Sequence, residues 1–240
     1  MLRALRWFFL LTVAAVCIIE GKAAYDRQPQ DWPWTPFALD QPTGRFTAAK
    51  IADLGDQPAE CRALLAAANV IDRPAPQRRS GATCGFDDGV LILAGGARES
   101  RMVPAGLVTS CPVASALLLW DRRVIQPAAE RTLGSPVTAI LHAGSYNCRR
   151  INGAEAGNWS QHATADALDV LGFRLADGRT VSVLRDWPGD AAPARFLREV
   201  RDGGCRLFTT VLSPDYNAAH RDHLPLDTAN RGSVGWTACR

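Results

Sequence analysis

The chain lacks the charge imbalance of a nucleic-acid binder. Over 240 residues it carries 27 Lys and Arg against 24 Asp and Glu, a formal charge of +3. Residues 1–24 hold Arg3, Arg6 and Lys22 against Glu20, a balance of +2, which leaves only +1 (3 − 2) for the rest. A nucleic-acid partner calls for a clustered basic face, and none is present. There is a single long apolar run, near the N-terminus, so a multi-span membrane protein is excluded. No Cys-x-x-Cys pair occurs, which removes the usual spacing of a structural zinc site. Internal repeats and low-complexity tracts are absent. Histidine is scarce, at four residues. The apolar share of 47% and charged share of 21% are ordinary for a globular protein, and they exclude a largely disordered chain or a coiled coil.

What is present begins with export. Leu2–Arg6 is short and basic, and Trp7–Ile19 is uncharged and apolar, before Glu20 and Lys22 return the chain to water. This is the layout of an export signal. Residues 1–24 therefore read as a signal-anchor or signal peptide. The uncharged run falls short of the roughly 20 residues of an unstrained span, but with Ala4, Leu5 and a snorkelling Arg6 it can serve as a thin anchor. Gly21-Lys22-Ala23-Ala24 is a mediocre cleavage site, and Val16 before Cys17 suits a lipoprotein site poorly. The reading favours an uncleaved anchor, with secretion after cleavage as the alternative. The positive-inside rule then puts the domain outside the cytoplasm, on the periplasmic side of an inner membrane.

Six cysteines lie beyond the apolar run: Cys61, Cys84, Cys111, Cys148, Cys205 and Cys239. An even count in an exported domain reads as three disulfides, with fifteen pairings open.

Residues 25–46 are rich in Pro and Trp and read as a linker lying against the domain at 47–240. Residues 47–69 form two helical pieces around 56–58. Asn69 to Ala82 reads as a loop, and Val90–Leu93 as a short strand. Val113–Leu133 reads as a long helix, with Pro112 near its start, Pro127 as a kink and Gly134 after its end. Strands follow at Val137–His142, Ala167–Leu175 and Thr180–Leu184, the last two joined as a hairpin through Asp177-Gly178. A helix at Ala194–Arg201 precedes strands at Leu207–Leu212 and His220–Asp227. Helices first and mostly strands after imply an α+β fold, a helical N-terminal part packed on a small, mostly antiparallel sheet.

Two polar clusters carry the chemistry. Ser160–Asp169 places His162 seven residues before Asp169. The second, Asp215–Asp227, holds His220, Asp222 and His223. A catalytic zinc takes three N or O ligands and leaves a position for water, whose pKa it lowers to about 7; a nearby carboxylate or imidazole then moves the proton. The plain alternative is surface histidines and a capping aspartate. His142 ends an apolar strand and reads as a core histidine. Trp32 and Trp34 read as packing residues, with a sugar-binding groove as the rarer use of such rings.

The run S-x-H-x-x-A-x-A-x-D at Ser160–Asp169 resembles the zinc signature of the DD-peptidase/hedgehog-type metallopeptidases, in which a glycine usually stands at the place of Ala165. Over residues 31–240 the chain resembles the bacterial extensin-like C-terminal domain family. The stretches that carry this are Trp32–Pro36, Cys84-Gly85, Cys111-Pro112, Gly144–Arg149, Trp159–Asp169 and His220–His223. The resemblance implies a peptidase-like domain with peptidoglycan stem peptides as partner. It implies zinc held by His162 and Asp169, with Arg149 facing a substrate carboxylate or a developing oxyanion. The pattern ends H-x-x-H-x-H, and its last histidine, the expected third ligand, is Pro225 here. Either His223 takes the ligand's place, leaving His220 or Asp222 as proton shuttle, or zinc binding is crippled and the domain binds wall peptides without cutting them. On a regular strand, residues 223 and 225 lie about 7 Å apart on one face, so His223 reaches the metal only if the strand shifts. A third reading is a purely structural, disulfide-stapled envelope domain.

Overall fold

The computed structural model describes residues 2–232 and 237–240. Helix α1 (Leu2–Arg27) is exposed along its length, with a mean hydropathy of 2.0 in its most apolar window. Its 26 residues rise about 39 Å, more than the ~30 Å hydrocarbon layer. It is long and apolar enough to cross a membrane, a test that a signal sequence also passes. Residues 28–46 follow without regular structure beyond a turn at Pro29–Asp31. Phe37 and Leu39 are buried, and the Lys50 ammonium donates to Gln30 Oε1 (3.0 Å) and Thr35 Oγ1 (2.6 Å).

Two short helices come next, α2 (Thr47–Asp53) and α3 (Pro58–Ala67), the second opened by the proline at its first position. Six strands follow: β1 (Val70–Pro74), β2 (Arg78–Ser80), β3 (Cys84–Phe86), β4 (Val90–Gly96), β5 (Arg101–Val103) and β6 (Val108–Thr109). β1, β4 and β6 form an antiparallel sheet, and β2 and β3 a separate hairpin. The segment 69–82 is thus not a loop. β2 is exposed throughout and β1 buries only Val70, so neither shows the alternation by which a half-buried strand is recognised.

Helix α4 (Cys111–Trp120) starts at the cap Ser110 and is buried on every side. It runs through a π turn at Asp121–Ile125 into α5 (Gln126–Leu133), which ends at Gly134 in the left-handed conformation (φ 65°). Then come β7 (Val137–His142), β8 (Ala167–Leu175), β9 (Thr180–Ser182), the one-turn α6 (Val183–Asp186), α7 (Ala192–Gly204), β10 (Thr210–Val211), β11 (Leu224–Asp227) and β12 (Ala238–Cys239). β10 is shorter than the expected 207–212. The expected strand over 220–227 keeps only its last four residues, behind a 3-10 turn at Ala218–His220.

The principal sheet has seven strands in the order β12-β10-β11-β8-β7-β5, with β9 paired to β8. Among the described residues, only β5–β7 and β10–β12 pair in parallel. The fold is α+β. Its centre is aromatic: Trp120 lies edge-on to Phe173 (5.9 Å) and Phe208 (6.0 Å), and Phe173 to Phe196 of α7 (5.1 Å). The Trp120 indole donates to the Val200 carbonyl (2.8 Å), so the ring is buried without an orphaned N–H. Three disulfides close the domain: Cys61–Cys111, Cys84–Cys148 and Cys205–Cys239. Cys17 in α1 is free and exposed.

Candidate functional site

The central strand β8 supplies Asp169, and its neighbours on both sides bring the other groups to it. On one side the chain leaves β7 at His142. That ring is satisfied within the core: one nitrogen meets the Pro104 carbonyl (2.9 Å) and the other accepts from Gly144 N–H (3.0 Å). Gly144 (φ 104°) turns the loop so that its carbonyl meets the Asp169 N–H (3.4 Å), and Ser145 follows. On the other side β11 pairs with β8 in a register that sets Pro225 opposite Asp169.

His162 sits in a 3-10 turn (Gln161–Thr164) capped by Ser160, whose hydroxyl accepts from the His162 N–H (3.3 Å). Ala165 closes the turn in the left-handed conformation (φ 62°, ψ 20°). In that conformation an L side chain meets the following carbonyl, so Ala165 is held in a backbone that a glycine adopts more freely.

His162, Asp169 and His223 converge. His162 Nε2 lies 3.2 Å, and His223 Nε2 3.7 Å, from the same oxygen, Asp169 Oδ1. His223 gets there without a strand shift. It precedes β11, on the bend after the 3-10 turn, so strand spacing does not limit its reach. Behind each ring stands an acceptor: the Ser145 carbonyl at 2.7 Å from His162 Nδ1, and Asp222 Oδ1 at 2.7 Å from His223 Nδ1. A carbonyl and a carboxylate can only accept, so each Nδ1 carries the hydrogen. With both rings neutral, each would turn a bare Nε2 lone pair towards a carboxylate oxygen. Such a trio is stable only with something positive between its members, a proton or a cation. An acceptor behind a ligating imidazole is also the usual support of a metal-binding histidine.

The charge balance follows. Burial pulls His162 down, but the hydrogen bond and charge of Asp169 and the Ser145 carbonyl outweigh it and raise its pKa. Burial pushes Asp169 up, yet His162, then His223 and Arg149, hold it below the usual carboxylate range. As it stands the trio is loose at His223, and among the described residues no group of three or more His, Cys, Asp or Glu forms a closed metal cage.

These residues line a cavity of about 430 Å³ that also takes in Arg149 and His220. Arg149 makes no side-chain hydrogen bond among the described residues, and its charge acts on both His162 and Asp169. The His220 Nδ1 donates to Asn217 Oδ1 (2.8 Å), an oxygen identified by the Ala219 N–H it also accepts (2.9 Å). Its Nε2 is therefore free to take a proton, and burial, then the charge of His223, lowers its pKa. Asp222 is committed to His223. Sequence reasoning did not find the Ser145 carbonyl, which as a main-chain group leaves no signal, although Ser145 lies within Gly144–Arg149. It also missed Arg231, which lines the cavity and donates to Thr210 Oγ1 (2.6 Å).

Fold and site together define a disulfide-closed α+β domain, carried behind an apolar N-terminal helix, with a histidine–carboxylate centre on its main sheet. The family described as extensin-like protein C-terminus matches residues 59–240, most of the chain, and the chain belongs to that family. No curated protein matches the chain, and no solved structure does.

Proposed function

We propose that the chain is an exported cell-envelope protein whose domain is a zinc peptidase of the DD-peptidase/hedgehog type, acting on peptidoglycan stem peptides. One observation carries this: two imidazoles, each with Nδ1 committed to an acceptor, turn their Nε2 atoms on one half-buried carboxylate oxygen. The donor set, two neutral nitrogens and one oxygen, suits zinc. The separations of 3.2 and 3.7 Å lie near the about 3.3 Å edge of a tetrahedron with bonds of about 2.0–2.1 Å. His162, Asp169 and His223 would hold the ion. Zinc, when bound, supplies Lewis acidity, polarising a peptide carbonyl and acidifying a water. The chain does the rest. Arg149 holds a substrate carboxylate or the oxyanion of the tetrahedral stage. His220 carries the proton at Nε2 from water towards the leaving amine. Asp222 orients His223. The apolar helix and the three disulfides support a place on the periplasmic side of the inner membrane, anchored by α1.

A second reading has its own observation. Pro225 stands directly across from Asp169, where a histidine would be best placed to ligate, so the domain would bind stem peptides without cutting them. The test is zinc content and peptidase activity of the oxidised full chain, beside His162→Ala and Pro225→His. Stoichiometric zinc and cleavage of cross-linked stem peptides in the natural protein, lost in His162→Ala, are the expected result. Zinc in Pro225→His alone selects the non-catalytic reading. If none of the three holds zinc, the metal reading fails.

A further inference from the structure

A second cavity, of about 270 Å³, lies on the other flank of the Gln161–Thr164 turn. Its wall contains Asp56, Asp87, Asp88 and Asp166, and no Lys, Arg or His. Asp56 and Asp87 are exposed, but Asp88 and Asp166 are half-buried, and half-buried carboxylates without a cation nearby are costly. Burial first, and then the charge of Asp166, push Asp88 up to about 6. Asp166 is raised by burial too, although the hydroxyls of Thr164 (2.6 Å) and Ser110 donate to it.

An independent feature points to a ligand. Thr228 forms part of the same wall and is only 4% exposed, yet its hydroxyl has no hydrogen-bond partner. Its N–H is committed to the Asp166 main-chain carbonyl (3.0 Å), which ties the two segments together at this wall. A buried hydroxyl without a partner is desolvated with nothing in return, so native proteins rarely leave one. A cation among Asp88, Asp166 and Thr228 would satisfy the hydroxyl oxygen and neutralise the paired carboxylates at once.

We propose that this cavity is a calcium-class site, with the carboxylates of Asp88 and Asp166 and the hydroxyl of Thr228 as protein ligands and water completing the shell. An all-oxygen set selects a hard cation over zinc, and an irregular set drawn from three separate segments favours calcium over the strictly octahedral magnesium. Three protein oxygens imply a weak site, with Kd around 10⁻⁴–10⁻³ M, as in extracellular modules. Such an ion would tie together the segment after β3, the turn that carries His162, and the chain after β11. It would stiffen the histidine centre without taking part in it.

The experiment is thermal unfolding of the oxidised full chain in detergent, stripped with EDTA, against CaCl₂ and MgCl₂, with NaCl at matched ionic strength. Expected is a rise of about 2–5 °C at 5 mM calcium, a smaller one with magnesium and none with NaCl. Asp88→Asn and Asp166→Asn should lose the calcium response. Thr228→Val, which keeps the shape and removes the hydroxyl, should weaken apparent affinity at least about threefold, and it serves if the aspartate variants fail to fold. His162→Ala should keep the response, whatever becomes of the zinc reading. No shift with calcium, an equal shift with NaCl, an undiminished response in Thr228→Val, or loss of the response in His162→Ala would each overturn the proposal.

Discussion

Ala165 is a small residue in a demanding place. Its left-handed backbone costs about 1–2 kcal/mol for an L side chain, yet it is fully buried and its carbonyl accepts from Ser110 N–H (3.0 Å), Thr109 Oγ1 (3.0 Å) and Ser145 Oγ (2.9 Å). Ala165→Gly would relieve that strain. It would also lose about 0.8 kcal/mol of methyl burial and pay about 0.5–1 kcal/mol in backbone entropy, so the change should fall within about 1 kcal/mol of zero. Ala165→Val, β-branched in the same conformation and overpacked, should cost more than about 2 kcal/mol. Urea denaturation of both variants checks this, and a valine variant as stable as its parent would remove the conformational account. At this scale the sequence singled out His162, Asp169, Arg149, His220, Asp222 and His223, because they belong to short motifs, and it passed over Arg231. It could not show what stands behind the rings. The acceptor for His162 is a main-chain oxygen, and the pairing of Asp222 with His223 depends on a bend that a strand reading of 220–227 had straightened.

Among the elements, the path from α4 to α5 is the clearest case of a device under the pattern. Pro112, the apolar stripe and Gly134 made the long helix legible, and Pro127 announced a distortion. The distortion is a π turn just before the proline, with Gln126 N–H bonded to the carbonyl of Asp121. The wider turn accommodates a ring that lacks its own N–H and would crowd the preceding turn. It also places the Asp121 side chain, buried at 1% exposure, against the approach to β5. There it accepts from Glu99 N–H (3.0 Å), Ser100 N–H (2.9 Å), Ser100 Oγ (2.7 Å) and Gln126 Nε2 (2.9 Å). Asp121→Ala strands these donors in the interior and should cost about 3–5 kcal/mol, with Asp121→Asn, which keeps one acceptor, less damaging. Chemical denaturation measures both. A loss below about 1 kcal/mol for the alanine variant would mean that water replaces the carboxylate. Of the strands in the first half, β4 was legible at Val90–Leu93, and the others were not, for a simpler reason. β1 and β2 are short and exposed, so their pairing is decided by partners distant in sequence.

Over the whole molecule, cysteine count foretold three bridges and left the pairing open. The pairs close loops of 50, 64 and 34 residues, each contributing about 4 kcal/mol if the chain-entropy account holds. Together that is about 12 kcal/mol, comparable to the entire stability of a typical domain, about 5–15 kcal/mol. The fully reduced protein should therefore be largely unfolded at 37 °C. The bridges should also open in order, because a reductant must reach the sulfur. Cys61 and Cys111 are both fully buried, whereas Cys239 is exposed and Cys205 half-buried. Cys205–Cys239 should be reduced first, releasing β12 from β10, and Cys61–Cys111 last, only as the core opens. Timed thiol trapping and mass spectrometry read that order. Cys84–Cys148, with one buried and one exposed cysteine, falls between them, and it is the bridge that reaches the site, since Cys148 directly precedes Arg149. Its early reduction should loosen the loop behind His162 while far-UV circular dichroism stays nearly native. Loss of the whole fold at the first bridge cleaved would instead make the three bridges one cooperative unit.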